Sequence, residues 1–330
     1  MKLKIFSAKD IRQAVSMAQA IEAVKKAYIQ YSSGKAVLPL RIAISPEKKS
    51  DIALFMPAYL TDSKSFGVKI VSVFPENREK NIATINALVI ILDAETGQAE
   101  AIMDGTYLTA LRTGAGSGGA TDLLARKDAQ VAAIFGAGIQ AHTQLEAICT
   151  VRSIRKVRVY DVVRSRAEAF AEEMKAHGKP IPPDISVAGS PSETIRDADI
   201  ICAATTSATP VFNDSDLKLG VHLNAIGSFR PEVQEIPAET VIRAKVFVDS
   251  LSMSLEETGD LIIPIKQGLM KESHIHGEIG QVAAGKLSGR ESEKEVTLFK
   301  SVGLAVQDVA TASLVLSQAK RLGLGVEMEI

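Results

Sequence analysis

The chain has 330 residues, with 38 lysines and arginines against 39 aspartates and glutamates, for a formal net charge of -1. That balance leaves no strong field to draw nucleic acid or an anionic membrane surface. Hydrophobic residues make up 46% and charged residues 23%, the range of a globular protein of one large or two medium domains. Cys149 and Cys202 both sit in apolar stretches and predict buried thiols rather than a disulfide framework. The N-terminus turns polar too early for a signal peptide, and the longest wholly apolar run, Ala87 to Leu92, is too short to span a bilayer. The expected location is the cytoplasm, with no membrane partner.

The first elements in chain order are a short strand and then a helix. Ser7 can cap a turn before Ala8–Ile11, or Ser16 can cap a helix holding Ala20, Val24, Ala27 and Tyr28 on one face. A strand-rich stretch follows: RIAIS, DIALFMPAYL, SFGVKIVSVF, TINALVIILD and AEAIMD. Pro75–Asn77 and Asp93–Gly97 read as turns between these strands. Up to about Asp104 the pattern is α+β. From Thr106 it changes. The segment TYLTALRTGAGSGGATDLLAR reads as partly helical, broken by its run of small residues. Beyond it, the apolar runs VAAIFG, KVRVYD, DIICAAT, HLNAIG and KVFVD alternate with amphipathic stretches. Continuous apolar strands between helices predict a parallel sheet covered on both faces. Gly303–Leu322 is a long apolar helix that needs a second surface to cover, and it is expected to return to the N-terminal unit.

The most informative motif is Gly136-Ala137-Gly138-Ile139-Gln140-Ala141, which follows the strand Val131–Phe135 and opens a helix. Gly136 permits a tight turn, and Gly138 lets backbone approach a pyrophosphate. Ala141 lets the helix pack close to the sheet, and the helix N-terminus points amides at phosphate charge. The second strand ends in Asp161, at the spacing of about 20 residues that this fingerprint requires. A carboxylate there accepts both ribose hydroxyls and repels a 2′-phosphate, so NAD(H) is favoured. Arg164 and Arg166 follow closely enough to tolerate NADP(H).

A hydride-transferring protein also needs groups to hold its substrate. Arg41 in LPLRIAI, Lys69 in FGVKIVSV and Arg112 are basic residues amid apolar neighbours, which are costly to bury without an anionic partner. Spacing alone equally allows Arg41 and Lys69 to face outward from their strands.

At these residues the chain resembles the ornithine cyclodeaminase/mu-crystallin family. The resemblance is carried by MPAYL (56–60), GVKIV (67–71), ATINALVIILDAETG (83–97), LTALRTGA (108–115), FGAGIQA (135–141), AIGS (225–228) and GLAVQDVATA (303–312). It implies an α/β subunit with an α+β substrate-binding and dimerisation domain, residues 1–118 and 312–330, and a Rossmann-type NAD(P)-binding domain, residues 119–311. By motif match, Arg41 and Arg112 clamp a substrate carboxylate, a job suited to a guanidinium fork. Lys69 gives or takes a proton beside the reacting carbon, and Thr84 lies in the matching pocket strand. On the cofactor side the resemblance places Arg112 and Thr113, the glycine loop, Asp161, Ala204, Thr205, Thr206 and Ser228. The expected partners are a small imino or amino acid and a second copy of the chain.

One departure narrows the chemistry. Cyclodeaminases and archaeal alanine dehydrogenases of the family carry an aspartate just after the AIG turn, where this chain has Phe229. Leu54 likewise stands where several relatives are charged. Oxidising an amino acid or cyclising a diamino acid needs a base near the carbon, whereas reducing a preformed cyclic imine needs less. The favoured expectation is therefore NAD(P)H-dependent reduction of Δ1-pyrroline-2-carboxylate or Δ1-piperideine-2-carboxylate to L-proline or L-pipecolate. Alanine dehydrogenase, ornithine cyclodeaminase and a mu-crystallin-like small-ligand binding protein are the alternatives.

Weaker features remain. His274 and His276 could share a strand face, but nothing nearby completes a metal site, and none is expected. His142 reads as a solvated helix position, or else a neighbour of the pyrophosphate, and His222 reads as a loop residue. Asp249, Glu256, Glu257 and Asp260 could lie near the cleft or serve as caps. Asp308, on the returning helix, reads first as a structural hydrogen-bond partner and second as a neighbour of the nicotinamide.

Overall fold

In the computed structural model, which describes residues 2–46, 51–80 and 82–330, the chain divides into two units: Met1–Arg112 with Leu304–Ile330, and Thr113–Gly303. The boundary between them falls inside one helix, Gly105–Leu124. That helix is unbroken, against expectation. Its glycines carry low intrinsic helix propensity, but every position from 110 to 121 is buried, and tertiary packing overrides propensity.

The first unit is built on a mixed eight-stranded sheet. Its order is Val326–Glu329, Lys2–Phe6, Ala99–Asp104, Ile85–Leu92, Ser65–Val73, Ile52–Leu60 and Ala36–Val37, with Ile42–Ile44 also paired to Ile52–Leu60. Lys2–Phe6 runs parallel to Ala99–Asp104, and the remaining pairs are antiparallel. Both proposed caps are used. Ser7 opens Ala8–Ala14 and Ser16 opens Met17–Ser32, each with a reciprocal bond from the third helical residue. The returning helix, Ala305–Leu322, packs on Met17–Ser32 and on the strands Ile52–Leu60 and Ser65–Val73 of this unit. Strand alternation turns Met56, Ala58, Leu60, Gly67, Lys69, Val89, Ile91, Ala101 and Met103 inward, all nearly inaccessible to solvent. Burial of each large aliphatic side chain of this set contributes roughly 1.5–3 kcal/mol. Many of the opposite positions are also apolar: Pro57, Tyr59, Phe66, Val68, Ile70, Ile90 and Ile102 are half-exposed and Leu88 is exposed, with Ser72, Asn86, Glu100 and Asp104 as polar positions at the strand ends. Two local details differ from expectation. Pro75–Lys80 is a 3₁₀ segment rather than a three-residue turn, and Thr84 stands one residue before the strand Ile85–Leu92 rather than in it.

The second unit holds eight parallel strands. In chain order they are Val131–Phe135, Lys156–Tyr160, Ile185–Val187, Ile200–Ala203, His222–Ala225, Lys245–Val248, Ile275–Glu278 and Thr297–Lys300. Their spatial order is third, second, first, fourth, fifth, eighth, sixth, seventh. The order therefore reverses between Val131–Phe135 and Ile200–Ala203, which is the switch point of a Rossmann-type sheet. His222 is the first residue of its strand, not a loop residue. It is fully buried between Thr297 (3.0 Å) and Asn224 (3.3 Å), and burial, reinforced by Arg290, pushes its pKa down to about 3. Cys149 and Cys202 are both buried free thiols. No helix among the described residues is long and apolar enough to cross a membrane.

Candidate active site

In the first unit Lys69 lies on the buried face of its strand with Ser65 and Gly67, and the returning helix presents Asp308 to it. Lys69 Nζ lies 2.9 Å from Asp308 Oδ2, and Arg112 Nε donates to Asp308 Oδ1 at 2.9 Å. Side-chain exposure is 2% for Lys69, 7% for Arg112 and 0% for Asp308, so two cations share one carboxylate out of water. Gln307, one residue earlier on the helix, fixes the guanidinium: its Oε1 accepts from Arg112 Nη1 at 2.9 Å and from the Leu304 amide at 2.7 Å. Its Nε2 donates to the buried Tyr28 hydroxyl at 2.7 Å. Arg112 Nη2 is committed to neither Asp308 nor Gln307. The Lys69 pKa is lowered to about 8, first by desolvation and then by Arg112, with Asp308 opposing and Arg41 adding a weaker push. Of the sequence candidates, Arg112 and Arg41 thus both act on Lys69 electrostatically, with Arg41 half-buried one residue before the strand Ile42–Ile44. Thr84 is half-buried, and its carbonyl accepts from the Phe74 amide at 2.8 Å. Asp308 is the centre of the cluster. Gln307 is not among the residues the sequence points to, although a glutamine and an aspartate adjacent in an apolar helix are a visible signal, and Tyr28 is expected only as part of a helix face.

In the second unit the glycine loop leaves Val131–Phe135 at the switch point. Gly136 has φ +86°, and a Cβ there would sit 2.7 Å from the Ala204 carbonyl oxygen, so only glycine fits this turn. A Cβ at Gly138 would meet nothing within 4 Å, which leaves the loop open on the side a pyrophosphate would take. The helix Ile139–Val151 follows with no side-chain cap at Gly138, and in its first turn Ala141 N donates to the Gly138 carbonyl at 3.0 Å. Ala141 is fully buried, as close packing on the sheet requires. Asp161 ties its own strand end to the loop: one carboxylate oxygen accepts from Ala137 N at 2.9 Å and the other from Val163 N at 2.8 Å. Ala204, Thr205 and Thr206 continue from the adjacent strand Ile200–Ala203. These features fit a dinucleotide, with a helix N-terminus at the glycine turn and a carboxylate at the end of the second strand. Thr113 is buried. Ser228 is fully buried, with its hydroxyl donating to the Val233 carbonyl (2.6 Å) and lying 2.9 Å from the Thr258 hydroxyl. Phe229 is 53% exposed beside Arg230.

The weaker features resolve into local bonds. His142 bridges the Gly138 carbonyl (3.1 Å) and Glu173 (2.9 Å). His274 contacts the Val241 carbonyl at 2.9 Å, and His276 stacks edge-on against Phe247. Among the described residues no group of three or more potential ligands could hold a metal ion. Asp249 is fully buried and accepts from Ser250 N, Ser301 Oγ, Val302 N and Gly303 N. Asp260 is buried on Lys300, 2.9 Å away. Beside it lies Glu235, a buried carboxylate that sequence reasoning missed. Burial first, and then Asp260, push the Glu235 pKa up to about 7, with Lys300 opposing.

Comparison with known proteins identifies the family. The sequence profile of the ornithine cyclodeaminase/mu-crystallin family matches residues 1–322. The chain is 42% identical over 327 residues to the Δ(1)-pyrroline-2-carboxylate reductase of Bacillus cereus, covering 98% of this chain and 99% of the relative. It is 37% identical over 325 residues to the alanine dehydrogenase of Archaeoglobus fulgidus, covering 98% of each. Among solved structures, the Δ(1)-pyrroline-2-carboxylate reductase of Thermococcus litoralis in complex with NADH and L-proline superposes with a TM-score of 0.93 at 43% identity, over 98% of this chain and 99% of that one. An archaeal alanine dehydrogenase dimer with bound NAD gives 0.91 at 35% identity over the whole of both chains. The chain belongs to the ornithine cyclodeaminase/mu-crystallin family.

Proposed function

We propose that the protein is an NAD(P)H-dependent reductase of a small cyclic imino acid, converting Δ1-pyrroline-2-carboxylate or Δ1-piperideine-2-carboxylate to L-proline or L-pipecolate. The observation that carries this reading is the excess of positive charge in the first unit, with Lys69 and Arg112 both buried on the single carboxylate of Asp308. An uncompensated buried cation is costly, and a substrate carboxylate relieves it. Arg112 presents Nη2 to that carboxylate and Arg41 is its second grip, a bidentate geometry suited to guanidinium. Lys69, with a pKa near 8, holds a proton at neutral pH and releases it readily. It protonates the ring nitrogen and is replenished from solvent, while Asp308 keeps the ammonium oriented. The glycine loop from Gly136 to Gln140, Asp161, Ala204–Thr206 and the Ser228 turn would hold the dinucleotide, which supplies the hydride equivalent for the imine carbon. Asp161 favours NAD(H), and Arg164, the nearer candidate for a 2′-phosphate, is paired with Glu168 at 2.9 Å.

The choice of reductase over dehydrogenase or cyclodeaminase rests on Phe229, which provides no carboxylate to deprotonate an amino acid. It is supported by the names of the relatives that match at 42% and 43% identity. Oxidation of NADH and NADPH with the five- and six-membered imines is the direct test, and absence of turnover with both rings defeats the reading. A folded Phe229→Asp variant should gain amino-acid oxidation, and no gain would count against the role given to that position.

The proposed partner is a second copy of the chain. It would cover the sheet face of the first unit formed by Val68, Ile70, Leu88, Ile90 and Ile102, which is apolar where a solvated face would alternate with polar residues. Ile90→Lys should shift the mass measured by light scattering to that of one chain, and an unchanged mass would exclude this face.

A further inference from the structure

The fully buried Glu235 lies outside the cationic cluster, and none of the steps above uses it. Its carboxylate spans two turns. One oxygen accepts from the Thr205 amide at 2.6 Å, and the other from the Gly227 amide at 2.8 Å. Thr205 follows the strand Ile200–Ala203, and Gly227 follows its neighbour His222–Ala225. The turns press together so closely that a Cβ on Gly227 would overlap the Thr205 carbonyl oxygen and both Glu235 carboxylate oxygens. The first of these turns also touches the glycine loop, where Gly136 packs on the Ala204 carbonyl. A continuous path of contacts therefore runs from the glycine loop through residues 204–205 to residue 227, with Glu235 as its fastener.

The fastener is itself anchored. Asp260 Oδ1 accepts from the amides of Glu235 (2.6 Å) and Ile236 (3.0 Å), and Asp260 Oδ2 pairs with Lys300 Nζ at 2.9 Å. Lys300 ends the strand Thr297–Lys300, which is paired with His222–Ala225. The carboxylate is thus referenced to the carboxyl ends of the sheet. An ionised carboxylate held fully out of water costs several kcal/mol before its hydrogen bonds are counted, and apolar packing would join two turns at less cost. What the carboxylate adds is direction, because each oxygen fixes one backbone amide.

We propose that Glu235 is a positioning residue for nucleotide binding: it sets the turns 204–206 and 226–228 against the glycine loop so that their backbone matches the dinucleotide. This rests on reading the second unit as the nucleotide site. Glu235→Gln keeps the size but faces one amide donor with another. Each lost charge-assisted bond corresponds to about tenfold or more. In the protein without nucleotide, amide exchange at residues 205 and 227 should accelerate by about that factor, while the strand Val131–Phe135 keeps its protection. The Kd for NADH, read from nicotinamide fluorescence, should rise by about tenfold. KM for the imine, and kcat at saturating NADH, should move far less. Should Glu235→Gln fail to fold, Glu235→Asp, which keeps the charge but falls short of both amides, carries the same expectation. Unchanged amide exchange would overturn the clamp. Faster exchange with an unaltered Kd for NADH would reduce Glu235 to a structural staple and overturn its positioning role. Failure of the unsubstituted protein to bind NADH would instead overturn the nucleotide reading, and the exchange comparison would still decide the clamp.

Discussion

The two units each bury one charge cluster, and the clusters are opposite in composition. In the first, two cations, Lys69 and Arg112, surround one carboxylate, Asp308. In the second, two carboxylates, Glu235 and Asp260, surround one cation, Lys300. Burial acts on both and disfavours whichever charge is in excess, so the Lys69 pKa falls to about 8 and the Glu235 pKa rises to about 7. The difference lies in what answers the excess. Around Glu235 and Asp260, the backbone amides of Thr205, Gly227, Glu235 and Ile236 complete the shell, so the cluster holds chain in place. Around Lys69 and Arg112, the partners among the described residues are one carboxylate, Asp308, and the neutral Gln307. A cluster finished by its own backbone builds structure, whereas two cations on one carboxylate are what the proposed function uses to hold a substrate carboxylate.

Removing the surplus breaks this contrast most severely. Lys69→Met keeps most of the unbranched side chain and deletes the ammonium with its proton. Loss of a general acid lowers turnover by about 10² to 10⁴-fold. In steady-state assays kcat for the imine should fall in that range, with the Kd for NADH unaffected. A loss of only a few-fold would show that the ring nitrogen takes its proton elsewhere.

Half of this contrast was readable in the sequence. The glycine loop was legible because each small residue there answers a local demand, and the pattern from Val131 to Asp161 is fixed by neighbours in the chain. Lys69 was legible as a residue and not as a direction. Gly67 and Val71 on one face of its strand and Val68 and Ile70 on the other are all apolar or small, so period-two alternation cannot choose between faces. The role of Asp308 depends on contact with Arg112 across 196 positions, which only the folded unit supplies. Glu235 was passed over because its surroundings, a polar stretch of turn residues, look solvated until the two strand ends close over it. Thr297–Lys300, which carries Lys300, went unmarked because four residues including a threonine and a lysine give no apolar run. The helix Gly105–Leu124 misled in the other direction, since its glycines argue locally for a break that burial prevents.

The contrast can also be sharpened by weakening the anion in the first unit. Asp308→Asn preserves shape and leaves Lys69 and Arg112 buried without a carboxylate. Breaking a buried ion pair from one side costs about 3–5 kcal/mol, less whatever is recovered when Lys69 sheds its proton. The melting temperature should drop, and L-proline, which brings a carboxylate, should restore part of the loss. The pH profile carries the finer test. In the unsubstituted protein Lys69 is an ammonium below about pH 8 and neutral above it, so imine reduction should fall about tenfold per pH unit on the alkaline side. Asp308 is the group that raises this pKa against burial, Arg112 and Arg41. Without it the lysine loses its proton earlier, and the alkaline limb should move to lower pH. A limb that stays in place in Asp308→Asn would show that Lys69 does not set it, and the assignment of the proton to that side chain would fall even if the variant were slow.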